Sequence, residues 1–271
     1  MKSFWGPMNK LLEYSDFELL RLAQTVYAVP SLAAWRAAEL KALRHCTFVP
    51  PVLEIGCGNG RFTTLIIPHI DWAVDVNPHE VALCSRNGSY GQVACMDARR
   101  LAFADGAFAT VFANCVIEHI SGLGTVLAEC RRVLRPGGSL IATVPLREMN
   151  RHLMFESAWY ASMRARQLEH RNLLTESEWV ASFSRAGFAT VQTTAYLSAN
   201  LCQLWDRVDG PLCIGAGPVN LANGYRLAMG SLPRPWRSGL NRQWRHYFIR
   251  ALHEPPEPAC AMLIQARRSA T

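Results

Sequence analysis

No stretch of this 271-residue chain approaches the ~20 consecutive apolar residues that a membrane-spanning helix needs, which argues against a helical span. Met1 to Pro7 run into amphipathic sequence without the apolar segment of a secretory signal, so a cytoplasmic chain is expected. The nine cysteines (Cys46, Cys57, Cys84, Cys95, Cys115, Cys130, Cys202, Cys213 and Cys260) include no C-x-x-C pair and no Cys/His spacing of zinc type. Neither a metal nor a disulfide framework is expected; the thiols read as small apolar groups, mostly buried, in a reducing compartment. Lysine is scarce: of the 28 basic residues only Lys2, Lys10 and Lys41 are lysine, and the rest are arginine. Acidic residues are absent from Pro211 to Leu252. The net charge of +7 raises attraction to polyanions without naming one. With 50% hydrophobic and 18% charged residues, the chain can bury a sizeable core and is not disordered in composition.

What is present is an apolar run that breaks into glycines: Val52-Leu53-Glu54-Ile55-Gly56-Cys57-Gly58-Asn59-Gly60-Arg61-Phe62. It reads as strand, tight turn and helix. Glycine permits positive φ and lets a ligand approach the main chain, so three in five positions mark a close-approach site. The dinucleotide fingerprint G-x-G-x-x-G would need its third glycine at position 61, where Arg61 stands. No Lys-Ser/Thr follows the turn, which excludes a P-loop. The next apolar run, Trp72-Ala73-Val74, ends at Asp75, nineteen positions after Gly56. That is about the distance at which a Rossmann-type fold places a carboxylate to accept from ribose hydroxyls. Val93 to Ala98 carries Asp97 at a further strand end, a residue that could equally cap a short helical turn. Phe108 to Asn114 reads as a fourth buried strand, followed by Cys115-Val116-Ile117-Glu118-His119-Ile120. Ala128 to Pro145 reads as a helix, then Pro136-Gly137-Gly138 as its terminator with a left-handed glycine cap, then a strand.

Over residues 52–145 this order resembles the class I S-adenosylmethionine (SAM)-dependent methyltransferases, whose first motif is an acidic residue followed by G-x-G-x-G, here Glu54, Gly56, Gly58 and Gly60. The resemblance implies an α/β fold, a Rossmann-like seven-stranded sheet with its last strand antiparallel. It also implies SAM bound by Glu54, Gly56, Cys57, Gly58, Gly60, Asp75, Val76, Asn77, Met96, Asp97, Ala98, Asn114, Cys115 and Val116, with Asp97 meeting the adenine amino group. Cys-Val-Ile-Glu-His at 115–119 is similar to the Leu-Glu-His segment of quinol and other small-molecule O-methyltransferases. His119 is therefore the candidate general base, although it could instead cap the following helix or line the cofactor pocket. Nucleobase N-methyltransferases carry Asn/Asp-Pro-Pro-aromatic where this chain has Asn114-Cys115-Val116-Ile117. A nucleic-acid acceptor is accordingly not expected. The resemblance implies methyl transfer to a small-molecule or lipid-like acceptor at oxygen; carbon or nitrogen acceptors and a non-catalytic SAM-binding role stay open.

The organisation expected around that core has four parts. Residues 1–50 form a helical cap, with Ser15-Asp16-Phe17-Glu18 as a capping box and Pro30 opening a second helix. Residues 51–196 form the SAM-binding core and 258–271 contribute its last strand. Within the core, 146–174 is polar and aromatic where the chain leaves the sheet, which makes His152, Tyr160, His170 and Arg171 candidate substrate contacts. Thr175-Glu176-Ser177-Glu178 is another capping box, and Phe188 to Tyr196 a sixth strand. Residues 197–257 insert about sixty residues where a hairpin needs ~2–5. The insertion interleaves Arg226, Arg237, Arg245 and Arg250 with Tyr225, Trp236, Trp244 and Tyr247. That composition suits a lid over an apolar or anionic substrate, a membrane-surface contact through 225–250, a nucleic-acid surface, or a solvated excursion whose aromatics pack inward.

Overall fold

The computed structural model describes residues 10–213, 215–216 and 219–270; Met1–Pro7, read above for a signal, lie outside them. The strands are β1 (Val52–Ile55), β2 (Ile70–Asp75), β3 (Tyr90–Cys95), β4 (Phe108–Asn114), β5 (Leu134–Pro145), β6 (Phe188–Ser198), the two-residue β7 (Gly215–Ala216) and β8 (Val219–Asn220), and β9 (Ala259–Arg268). Seven of them form one sheet in the order β3-β2-β1-β4-β5-β9-β6. β1 to β5 are mutually parallel, and β9 runs antiparallel between β5 and β6. This is the seven-stranded α/β sheet that the resemblance implies. Strand order reverses at β1/β4, and ligands of open α/β sheets bind beyond the carboxyl ends of the strands at that switch point. β1 is buried at all four positions, as a central parallel strand covered on both faces must be.

The helices are α1 (Asp16–Val26), α2 (Pro30–Leu43), α3 (Pro78–Cys84), α4 (Leu123–Val133), α5 (Ala158–Gln167), α6 (Glu176–Arg185), α7 (Ala199–Leu212), α8 (Leu221–Ser231) and α9 (Arg234–His253). Both expected capping boxes are formed, Ser15 with Glu18 and Thr175 with Glu178, and Pro30 occupies the first turn of α2. One apolar layer joins α1, α2, α7 and the end of α9 to one face of the sheet, and Leu40 and Leu43 in it are fully buried. Each such leucine contributes roughly 1.5–3 kcal/mol. The other face is covered by α4 and α6 through Val126, Leu127, Trp179 and Phe183. Most of the insertion is helical: α7 and α9 pack on the N-terminal helices.

Two local expectations are corrected. No α-helix follows the glycine turn: the chain makes a single 3-10 turn, Thr63–Leu65, before β2. Four of the five residues 63–67 are β-branched and Pro68 follows, which disfavours a helix in so short a connection. Pro136-Gly137-Gly138 does not cap α4. The helix ends at Val133 with an extended Leu134 that already pairs with Phe108; the register then shifts so that Ser139 pairs with Thr110. Arg135 precedes a proline and is biased to extended backbone, and Gly137, at φ 74°, falls inside that irregularity.

Tyr160, a candidate substrate contact, is part of an internal strut between α5 and α7. Arg164 is 1% exposed and pairs with Asp206 and Asp209, each at 2.7 Å. The Tyr160 hydroxyl donates to the same Asp206 at 2.9 Å. Removing one member would strand a buried charge, the costly way to break such a cluster.

Candidate active site

The glycine turn leaves β1 with Gly56, Gly58 and Gly60 all at positive φ. Two of them have different physical jobs. A Cβ on Gly60 would stand 2.5 Å from the Tyr90 ring and 2.9 Å from Cys84 Sγ, so this position is bare for packing. A Cβ on Gly58, at φ 49°, would meet nothing nearer than Glu80 Oε2 at 3.8 Å. Space on that side is open, and Gly58 lines a cavity. Below the turn, Glu54 is 2% exposed and accepts from the hydroxyls of Thr63 and Tyr90, the latter at 2.7 Å. Tyr90 also reaches the Gly60 carbonyl at 3.2 Å. Burial pushes the Glu54 carboxyl up to about 7. Glu54 therefore braces the turn from β1 as well as bordering the site.

Asp75 ends β2 with both carboxylate oxygens engaged by main chain: Gly58 N–H donates at 2.9 Å and Asn77 N–H at 2.9 Å. The first bond ties the glycine turn to the end of β2. Asn77 is spent on capping α3, accepting from His79 N–H.

Beyond the ends of β1, β2, β3 and β4 lies a cavity of about 440 Å³. Its walls include Gly56, Gly58, Asp75, Val76, Met96, Asp97, Ala98, Cys115, Val116 and His119, ten of the positions expected from sequence. Val76 is 71% exposed beside Asp75, an apolar surface suited to a flat ring. Asp97 is gripped by Arg99, with guanidinium contacts of 2.6 and 3.0 Å, and these bonds hold its carboxyl below the usual carboxylate range. Among the described residues only Cys115 (φ 51°) and Glu169 (φ 56°) are non-glycine residues at positive φ. Both line this cavity, and stored backbone strain concentrates at ligand sites.

A second cavity of about 210 Å³ opens beside the glycine turn and shares Gly56, Gly58, Cys115 and Val116 with the first. Glu54, Cys57 and Asn114 border it, so these three expected residues face the second cavity and not the first. Among the described residues, Arg36 of α2 is the one cation in its lining. The guanidinium lies over Phe62 at 5.2 Å and Tyr27 at 5.9 Å, while its buried Nε has no hydrogen-bond partner. It is held by Glu39, one turn on, at 2.6 Å. Glu39 is fully buried yet meets five donors: Trp35 Nε1, Arg36, Asn114 Nδ2, Cys115 Sγ and the Tyr196 hydroxyl. One carboxylate thus joins α2, the end of β4 and β6 around the strained Cys115.

His119 stands between the large cavity and a recess of about 150 Å³, lining both. Its Nδ1 is 3.3 Å from the Glu169 carbonyl. A proton on Nδ1 would donate there, leaving Nε2 as the basic nitrogen. Desolvation lowers the pKa of His119 from its ordinary value, which favours the neutral ring. The ring also packs against His170, 5.5 Å between centroids.

Of the remaining candidates, His170 lines the recess. Arg171 contributes its main-chain N–H to the Glu118 carbonyl at 2.8 Å. His152 closes the 3-10 turn Arg147–Arg151, away from these cavities. Sequence reasoning missed Arg36, Glu39 and Glu169. An Arg and a Glu three apart on a helix look like a solvated pair, and nothing local marks Glu169.

Residues 53–142 match the family described as Methyltransferase domain. The chain is similar to malonyl-[acyl-carrier protein] O-methyltransferases of Paenibacillus sp., 27% identical over 52% of this chain and 56% of the relative, and of Alcanivorax borkumensis, 29% identical over 61% and 57%. It thus spans a little over half the length of these curated relatives. Among solved structures it is similar to a SAM-dependent methyltransferase of Thermotoga maritima, with a TM-score of 0.58 and 17% identity over 93% of each chain. At that identity the likeness concerns the fold.

Proposed function

Because the chain belongs to the class I SAM-dependent methyltransferase superfamily, we propose that it transfers a methyl group from SAM to an oxygen of a small-molecule or lipid-like acceptor. The observation that carries this reading is the 440 Å³ cavity at the strand switch point, where a bare Gly58, Asp75 and Asp97 converge with His119. The residues present suit the cofactor. Asp75 can accept from ribose hydroxyls, Val76 and Ala98 can flank the adenine, and Asp97 can accept from its amino group. The unpartnered Nε of Arg36 can receive the methionine carboxylate in the adjoining cavity. When bound, SAM supplies a methyl on a sulfonium; the acceptor oxygen gains that methyl, the carbon–sulfur electron pair stays on sulfur, and a hydroxyl acceptor must lose a proton. His119 Nε2 can take it, and the protein's further contribution is to orient the acceptor against the methyl. Incubation with methyl-labelled SAM and a panel of alcohols, phenols and carboxylic acids is the test. Label should appear on oxygen; binding of SAM with no transfer to any acceptor would favour a non-catalytic role.

Asp75→Ala should weaken SAM binding more than tenfold. A carboxylate facing ribose hydroxyls contributes roughly 1.5–3 kcal/mol, and the same change cuts the tether to Gly58 N–H. Calorimetry reads the affinity, and unchanged binding in a folded variant would remove Asp75 from the site.

We further propose that the insertion meets an anionic membrane surface, and that the protein works in the cytoplasm. All nine cysteines are free, which supports a reducing compartment. Trp236 (71% exposed), Leu240 (36%) and Tyr247 (41%) recur at helical spacing on α9, and Leu227 of α8 is 75% exposed. Arg234, Arg242 and Arg250 are exposed on the same helix. In contrast, Trp244 donates to Tyr225 at 3.1 Å and Arg245 to Gln24 at 2.6 Å, so these two serve packing. Each arginine near an anionic surface contributes about 1 kcal/mol. Replacing Leu227, Arg234, Trp236 and Arg237 by Ala should cut flotation with anionic vesicles at least tenfold and leave SAM affinity within about twofold. Equal flotation of variant and parent would reject the membrane contact.

A further inference from the structure

The recess behind His119 is lined by Glu118 and His170, each of which has one buried polar atom with no hydrogen-bond partner, Oε2 and Nδ1. Glu118 is 1% exposed. Unpaired buried polar atoms are uncommon and destabilising, and two on one small recess call for a ligand that meets both. Their positions are set firmly. The Glu118 carbonyl accepts from the N–H groups of Arg171 at 2.8 Å and Asn172 at 2.9 Å. Asn172 Nδ2 in turn donates to the carbonyls of Ile117 and Ile120 at 2.9 and 2.7 Å. The turn carrying Glu118 and His119 is thereby clamped to the segment carrying His170.

Charge narrows the ligand class. The two other ionic groups on the recess each already have a counter-ion: Arg36 pairs with Glu39, and Asp209 with Arg164. Arg36 Nε is the atom assigned above to the methionine carboxylate of SAM. Among the described residues of the recess, a carboxylate or ammonium head would find no opposite charge of its own. Burial pushes the Glu118 carboxyl up to about 8 and the His170 imidazole down to about 4, so both are predominantly neutral at pH 7. A protonated Glu118 donates and a neutral imidazole nitrogen accepts. A hydroxyl carries both the lone pair and the proton that answer this pair.

Size and lining narrow it again. The remaining walls are mostly apolar, with Trp35, Met149, Leu168 and Trp205 lining about 150 Å³. An apolar cavity of roughly that volume holds one benzene.

We propose that this recess is the acceptor subsite and takes an uncharged hydroxyl group on a ring-sized apolar body, with Glu118 and His170 holding the oxygen within reach of His119. This rests on the methyltransferase reading, which identifies the neighbouring cavity as the cofactor's.

The test titrates phenol, cyclohexanol, benzoate and benzylamine into the intact protein, with and without S-adenosylhomocysteine (SAH), and follows tryptophan fluorescence, since Trp35 and Trp205 line the recess. Phenol and cyclohexanol should saturate the signal at concentrations at least tenfold below benzoate and benzylamine. Glu118→Leu and His170→Phe should each weaken phenol at least fivefold, and Glu118→Gln, which keeps a donor, should stay within about threefold of the parent. SAH affinity should be the same in all variants. Benzoate or benzylamine binding as well as phenol would overturn the proposal, as would parental phenol affinity in both Glu118→Leu and His170→Phe. Absence of SAH binding would instead sink the cofactor reading, and the phenol series in SAH-free protein would still decide the recess.

Discussion

Gly58→Val is expected to abolish SAM binding, at least a hundredfold loss or about 2.8 kcal/mol, in a chain that still folds. The backbone at Gly58 has φ 49°, where a β-branched residue is strained by roughly 1–3 kcal/mol, and its added atoms project into the open side of the turn. No protein atom other than Glu80 Oε2 lies within 4 Å of the new Cβ, so the damage falls on the ligand more than on the core. Gly60→Ala supplies the contrast. Its Cβ would press on Tyr90 and Cys84, so thermal stability should drop further than for a substitution into open space. Thermal unfolding and calorimetry of both variants separate the two jobs. Retained SAM binding by Gly58→Val would mean that the turn is structural only.

His119→Ala is expected to lower kcat about a hundredfold or more, the range that a general base supplies, while SAM affinity stays within about twofold. A related pH signature is expected of the parent protein. A base must be unprotonated to work, and burial depresses the His119 pKa below its ordinary value. Activity should therefore fall as pH drops through that depressed pKa, so the midpoint of the acid limb lies below about 6.5, the ordinary histidine pKa. The acid limb should vanish in His119→Ala. A kcat that is pH-independent in the parent and unchanged in the variant would leave His119 as cavity lining, and would suit a carboxylate acceptor that has no proton to lose.

The glycine turn, Asp75 and Asp97 could be read from the chain because their positions follow from local spacing: a strand, a bare turn and an acidic residue one strand later. The strands followed from successive apolar runs, their arrangement in one seven-stranded sheet from the methyltransferase resemblance, and both capping boxes from three-residue patterns. What could not be read depends on distant partners. Glu39 resembles a solvated residue beside Arg36, yet it is fully buried because Asn114, Cys115 and Tyr196, all remote in sequence, converge on it. Tyr160 lies in a polar and aromatic stretch that suggested substrate, whereas Asp206 on α7 claims its hydroxyl. The expected helix after Gly60 failed for a local reason that propensity did hold, the β-branched run ending at Pro68. Arg245 and Trp244 show the same limit as Glu39, since their inward placement requires α1 and α8 as neighbours.

The central claim is that the cavity between the glycine turn, Asp75 and His119 is a SAM site. Calorimetric titration of SAM into the intact chain, with Gly58→Val run in parallel, tests it most directly. One SAM per chain should bind the parent and none should bind the variant under the same conditions. A flat titration of the folded parent, or equal binding by the two proteins, would contradict the claim.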